Sequence, residues 1–378
     1  MRDKLGKYIK EYSVRNKANE DIPVYSVTNT QGFCQDYFGK EVASKDKSTY
    51  KIVPRGYFAY NPSRINVGSI DWQRNEDRVI VSPLYNVFST SELLDQQYLY
   101  YFLKSDIAHQ MIRSAATGSV RDNLKLSMLC EFSTNIPALE MQKDIVRILD
   151  KVKTLIDFRQ QELQKLDDLV KARFVEMFGD PENNSFDWKE QPLSKHLDVV
   201  GGFAFKSDQF VEEGIPVLRI GNINAGYFKP VNMVFWDNDD NLKKYKLFPG
   251  DLVMSLTGTV GKDDYGNVCI LGNDYDEYYL NQRNAKLELK DSINKYYIST
   301  LLKFESIKKK LTGISRGIRQ ANISNKDILN LVVPIPNITT QIEFEQFVQQ
   351  IDKSKFVVQQ ALDKAQLLFD SLMQQYFG

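Results

Sequence analysis

The sequence predicts an α+β chain of two globular α/β domains, each followed by a long helix, with the two helices packed together as an antiparallel coiled coil. Three observations lead there. One stretch of the chain returns 199 residues later at a fixed register, each copy ends in an apolar stripe of helical period, and short β-branched runs bounded by Gly, Pro, Asn and Asp precede each stripe.

The repeat comes first. Ile136-Pro137 returns as Ile335-Pro336, Gln142 as Gln341, Gln160-Gln161 as Gln359-Gln360, Leu163 as Leu362 and Phe178-Gly179 as Phe377-Gly378. The same shift runs backward without a gap through Asn123 and Asn322, Gly118 and Gly317, and Leu103-Lys104 and Leu302-Lys303. The leading parts echo each other at shifts that drift from 188 to 195, as in Leu5 with Leu193, Ile22-Pro23-Val24 with Ile215-Pro216-Val217, and Tyr50-Lys51 with Tyr245-Lys246. Each half thus has a length-invariant back and a divergent, loop-tolerant front, so the fronts are expected to touch different targets.

Within the first half, RVIVSPLYNVF (78–88) reads as strand and 91–116 as one amphipathic helix. From Gln142 to Phe178 apolar residues fall three, four or seven apart at Ile145, Leu149, Val152, Ile156, Leu163, Leu166, Val170 and Met177, with no Pro or Gly inside. The polar, turn-rich stretch 179–193 reads as a linker. In the second half, 215–223, 251–256 and 267–271 read as strands and 292–311 as a helix; Phe344, Val348, Ile351, Val358, Leu362, Ala365, Phe369 and Leu372 then repeat the stripe. The boundaries that follow are 1–135 for the first domain, 136–180 for its helix, 181–335 for the linker and second domain, and 336–378 for the second helix. At ~1.5 Å per residue a helix of about 38 residues spans roughly 57 Å, too long for one small domain to cover, so each helix needs the other. Ile145, Leu149, Val152, Leu163, Leu166, Val170, Phe344, Val348, Ile351, Leu362 and Phe369 are the candidate interface positions on these helices.

Composition narrows the function. With 42% hydrophobic and 26% charged residues, neither disorder nor a membrane bundle fits. No run approaches the ~18 apolar residues of a spanning helix, and the first residues lack the apolar core of a signal peptide, so a cytoplasmic location is expected. Cys34, Cys130 and Cys269 lie far apart in sequence and far from His109 and His196, which supports neither a disulfide framework nor a zinc site. Equal numbers of basic and acidic residues, 49 each, exclude a polybasic nucleic-acid binder but leave room for a local basic face. Residues 1–130 carry 18 basic against 14 acidic side chains and 181–326 carry 20 against 19; the backs, 131–180 and 327–378, carry 8 against 10 and 3 against 6. The positive surface lies on the fronts.

Catalytic motifs are weak. Asn61-Pro62-Ser63-Arg64 resembles the Asn-Pro-Pro-aromatic motif of adenine methyltransferases but lacks the second Pro and the ring that stacks on a flipped base. Gly258, Gly261 and Lys262 resemble the end of a phosphate-binding loop, yet Leu256 stands where its first Gly belongs and Asp263 replaces the magnesium-binding Ser or Thr. Glu288 and Lys290 with Asp274 or Asp276 suit a solvated strand edge better than a nuclease. No catalytic residue, metal ligand or cofactor of this chain is expected. What remains is binding through polar, Gly-rich segments of the fronts, whose Arg, Lys, Asn, Gln, Ser and Thr side chains suit phosphates and base edges. The candidate DNA contacts are Arg64, Ser119, Arg121 and Asn123 in the first front. In the second they are Lys206, Ser207, Arg219, Thr257, Thr259, Lys262, Gln282, Arg283, Arg316, Arg319, Gln320 and Asn322. A coiled-coil scaffold or adaptor that binds no DNA is the alternative.

The arrangement resembles the DNA-specificity subunit of type I restriction-modification enzymes over nearly the whole chain. The resemblance rests on Gly201-Gly202 with Lys206-Ser207 and Gly214-Ile215-Pro216, and on Gly250-Asp251-Leu252 running to Thr257-Gly258 and Gly261-Lys262. Asn281-Gln282, the two Ile-Pro pairs with their Gln, Met177-Phe178-Gly179-Asp180-Pro181 and Trp188 complete it. The first front lacks the Gly-Gly and Thr-Gly-x-x-Gly-Lys elements. The resemblance implies two target recognition domains related by a pseudo-twofold axis, each reading one half of a bipartite double-stranded DNA target while the helices set the spacer. It also implies two methyltransferase subunits that bind S-adenosylmethionine, and restriction subunits that use ATP and magnesium.

Overall fold

The computed structural model describes residues 2–35, 46–116, 123–224, 226–259, 264–313 and 320–378. The backbone divides into two compact units, one made of 1–161 with 359–378 and the other of 162–358. From the first half come α1 (Gln96–Lys104), α2 (Asp106–Ala116), α3 (Leu126–Cys130) and α4 (Leu139–Phe178); from the second come α5 (Lys295–Leu301), α6 (Glu305–Thr312), α7 (Asn325–Asn330) and α8 (Ile338–Phe377). The helices α4 and α8 have 40 residues each.

Each unit is built on an antiparallel four-stranded sheet of one strand order. In the first unit the order is Ile9–Glu11, Asn86–Thr90, Phe58–Tyr60, Ile70–Trp72; in the second it is Leu197–Gly201, Asn284–Leu289, Leu252–Ser255, Val268–Ile270. The alternating inward residues of these strands, such as Phe58, Tyr60 and Phe88 or Leu252, Met254 and Leu287, form the cores. The second unit adds a sheet in which Ile215–Leu218 runs parallel to Tyr278–Leu280. Its counterpart in the first unit is a parallel bridge from Val24 to Ile80 beside the pair Lys51–Pro54 and Arg78–Val81.

Two expectations need correction. The stretch 91–116 is two helices because the Ser105 hydroxyl donates to the Phe102 carbonyl at 2.7 Å and accepts the Ala108 amide at 3.3 Å, ending α1 and starting α2. Likewise 292–311 breaks at Phe304, an extended residue that precedes α6. The linker 179–193 is held in place at both ends. Gly179 ends α4 with φ +81°, the Trp188 indole donates to the Phe178 carbonyl at 2.9 Å, and Glu190–Pro192 pairs with Val332–Pro334. The first half shows the same closure, Arg2–Lys4 pairing with Ser133–Asn135.

The long helices each serve both units. The start of α4 lays Ile145 and Leu149 into the first core, and the end of α8 adds Phe377 there, with Phe369 and Leu372 alongside. The end of α4 lays Val170, Phe174 and Phe178 into the second core, where the start of α8 adds Phe344, Val348 and Ile351, with Leu166 partly buried against it. Val152, Leu163 and Leu362 are half-buried. These stripe residues are covered by the chain itself. The apolar side chains that α4 and α8 leave exposed are others, among them Leu155, Phe158, Leu169, Phe356 and Leu367.

A buried amide anchors the start of each long helix. Gln142 accepts the Asp95 amide at 2.9 Å and donates to the carbonyls of Leu93 at 2.9 Å and Pro137 at 2.8 Å. Gln341 accepts the Asn294 amide at 2.8 Å and donates to the Pro336 carbonyl at 2.8 Å. Both glutamine side chains are fully buried, and each of their bonds satisfies a side-chain group that has no access to solvent.

Candidate nucleic-acid interface

In the second unit the sequence candidates converge. A cleft of about 430 Å³ is lined by Phe205 and Phe210, by Arg219–Asn222, by Asn232 and by Asn281, Gln282 and Arg283. Lys206 and Ser207 follow Phe205 at its edge and are exposed. The buried Asn222 holds the floor, accepting the Arg219 amide at 3.0 Å and donating to the Lys229 and Val231 carbonyls at 3.0 Å each. The Arg219 guanidinium donates to the Asn232 carbonyl. Gly202 is required here, because a Cβ would overlap the Asn281 carbonyl.

The turn at 281–284 presents Gln282 and Arg283 to solvent. The Asn281 side chain accepts the Arg283 amide at 3.2 Å and the Asn281 carbonyl accepts the Asn284 amide at 2.9 Å. The Arg283 carbonyl then accepts the Leu256 amide at 2.8 Å, and the Leu256 carbonyl accepts the Ile323 amide at 2.8 Å. These bonds tie the turn to a ribbon in which Thr257–Thr259 pairs with Gln320–Asn322. Arg219, Gln282, Arg283, Thr257, Thr259 and Asn322 therefore belong to one neighbourhood. The Thr259 amide donates to the Asp264 side chain at 2.7 Å, and the next described element is the strand Val268–Ile270.

The first unit has the same scaffold with other side chains. The Pro62 carbonyl accepts the Leu124 amide at 3.1 Å, as the Leu256 carbonyl accepts that of Ile323, so the Asn61–Arg64 segment stands where the Thr257 strand stands in the second unit. Arg64 and Asn123 are exposed on these two adjoining segments. Ser119, Arg121, Lys262, Arg316 and Arg319 lie outside the described residues. Sequence reasoning did not single out Asn222, Asn232, Phe205 or Phe210. The clustering of Asn near Gly in 221–232 was the available signal, since Asn side chains bond neighbouring backbone in tight turns. Among the described residues no group of three or more His, Cys, Asp and Glu could hold a metal ion, and no helix is long and apolar enough to cross a membrane.

Comparison with known proteins agrees with this doubled scaffold. The family model for the type I restriction modification DNA specificity domain matches residues 4–168 and again 186–364, and the chain belongs to that family. It is 26% identical over 297 residues to the specificity subunit of the type I restriction enzyme MjaVIII of Methanocaldococcus jannaschii, covering 72% of this chain and 67% of that one. It is 22% identical over 398 aligned positions to the EcoKI specificity subunit of Escherichia coli, covering 98% and 84%. The fold is shared with the solved S subunit of a type I restriction-modification system from M. genitalium, at a TM-score of 0.53 and 15% identity over 100% of this chain and 96% of that one.

Proposed function

We propose that this chain is the sequence-reading subunit of a type I restriction-modification system, with each front recognising one half of a bipartite double-stranded DNA target. The observation that carries the reading is a turn and a pair of adjoining segments at corresponding places in both units, furnished with unlike side chains: Arg219, Gln282, Arg283 and Asn322 on one, Arg64 and Asn123 on the other. Arg suits guanine and Asn or Gln suits adenine, so one scaffold can read two half-sites. In this reading α4 and α8 pack as an antiparallel coiled coil that fixes the spacer, with half-sites about one helical turn, ~34 Å, apart. The exposed apolar residues of those helices dock two methyltransferase subunits. Chemistry resides in those partners, which bind S-adenosylmethionine, and in restriction subunits that use ATP and magnesium; this chain supplies the address in the cytoplasm.

The test is an exchange. Replacing residues 1–130 with the front of a relative changes one half of the sequence methylated by the assembled enzyme and leaves the other half intact. A change in both halves, or in neither, overturns the reading.

A further inference from the structure

Leu84 and Arg283 occupy the same position in the two units. In the first unit the Ser82 carbonyl accepts the Tyr85 amide at 3.0 Å and the Ser82 hydroxyl accepts the Leu84 amide at 3.5 Å. In the second, Asn281 makes the same two bonds to Asn284 and Arg283. Both turns follow the strand that carries the parallel pairing, Val24 to Ile80 in one and Val217 to Tyr279 in the other. Both lead into the second strand of the four-stranded sheet. The offset is the constant 199 of the repeat.

The first turn is also held firmly. Pro83 sits at its second position, which fixes φ, and the Lys51 ammonium donates to the Tyr85 carbonyl at 2.6 Å. On this rigid mount Leu84 is 77% exposed. A leucine can neither donate to a base nor pair with a phosphate. The feature of a base edge that attracts an apolar side chain in the major groove is the 5-methyl group of thymine.

We propose that Leu84 is a specificity-determining residue that packs on a thymine methyl in the first half-site, at the place where Arg283 reads a guanine in the second. This rests on the DNA-reading function proposed above. It explains how one turn geometry serves two unlike half-sites by exchanging a five-donor fork for a hydrocarbon.

The test uses the chain assembled with its methyltransferase subunits and duplexes carrying the target mapped by methylation. Each thymine of the first half-site is replaced in turn by deoxyuridine, which removes only the methyl. One position is expected to weaken specific binding about threefold to fivefold, the contribution of one buried methyl group. Leu84→Ala should weaken binding to the thymine duplex by at least as much and abolish the difference between the two duplexes. In the second half-site, 7-deazaguanine at one guanine should weaken wild-type binding at least about fivefold, and Arg283→Ala should remove that sensitivity. Specific binding that Leu84→Ala leaves equally sensitive to every thymine-to-deoxyuridine change overturns the assignment while sparing the DNA-reading function. Binding with no sequence preference overturns both. Leu84 is exposed, so folding of the variant is preserved and is checked by its unfolding midpoint.

Discussion

Phe377, in the last turn of α8, packs against Tyr98 of α1 with ring centroids 5.2 Å apart. Its counterpart Phe178 packs against Tyr297 of α5 at 4.9 Å. Each aromatic that closes a long helix thus sits on the domain from the other half of the sequence. The two tyrosines are equivalent in turn, Tyr98 donating to the Asn135 carbonyl at 3.0 Å and Tyr297 to the Pro334 carbonyl at 2.7 Å. Burial pushes the Tyr98 phenol up to about 12 and raises that of Tyr297 further, so both remain hydrogen-bond donors at any physiological pH.

This exchange predicts where damage appears. Phe377→Ala should destabilise the unit containing residues 1–161 by about 3–5 kcal/mol. Hydrogen exchange should show lost protection in α1 and α2 while α5 and α6 stay protected; Phe178→Ala should give the converse. Protection lost around α5 in the Phe377 variant would contradict the assignment.

Gln142→Ala should cost about 1–3 kcal/mol by removing a fully buried side chain together with its bonds to the Asp95 amide and the Leu93 carbonyl. Urea unfolding of the variant measures this. Gln142→Glu, isosteric but anionic and unable to donate, should cost at least as much, whereas a surface change such as Gln160→Ala should leave the midpoint within about 0.5 kcal/mol.

On DNA, Arg219→Ala or Gln282→Ala should weaken specific binding by about 1–3 kcal/mol while leaving non-specific binding close to wild type. A titration on target and scrambled duplexes at one salt concentration separates the outcomes. Equal loss on both would make the side chain a phosphate contact.

Acid should weaken the fold. Burial first, then Lys195 and Lys290, hold the His196 imidazole below its ordinary 6.5, and burial with Lys104 and Arg113 does the same at His109. The unfolded chain takes up protons near pH 6.5 that the folded chain refuses. Stability is therefore unaffected by these groups above about pH 7 and falls as pH drops through 6.5. His196→Asn, which can keep a bond to Ser292, should flatten the decline of the urea midpoint between pH 7.5 and 5.5. A decline identical to wild type would assign it to other groups.

Much of this architecture was legible because it is periodic. The apolar spacing from Ile145 to Val170 and the fixed shift of 199 placed both long helices, and Ile-Pro with Gln marked their buried anchors. The crossing of Phe178 and Phe377 was not legible, since a heptad stripe shows which face is buried and says nothing of which neighbour buries it. The strand Arg2–Lys4 was missed because three residues with two charges beyond the first carry no alternation. Arg219, Gln282 and Arg283 were singled out as candidates by residue type alone. Their convergence depends on Asn222, Gly202 and the Leu256 ladder, which act through backbone bonds that no local pattern encodes.

The Phe377–Tyr98 contact also imposes an order on biosynthesis. On a ribosome adding about 5–20 residues per second, the segment around Tyr98 emerges tens of seconds before its aromatic lid is made. The amino-terminal core must wait, incompletely sealed, until those last residues are made.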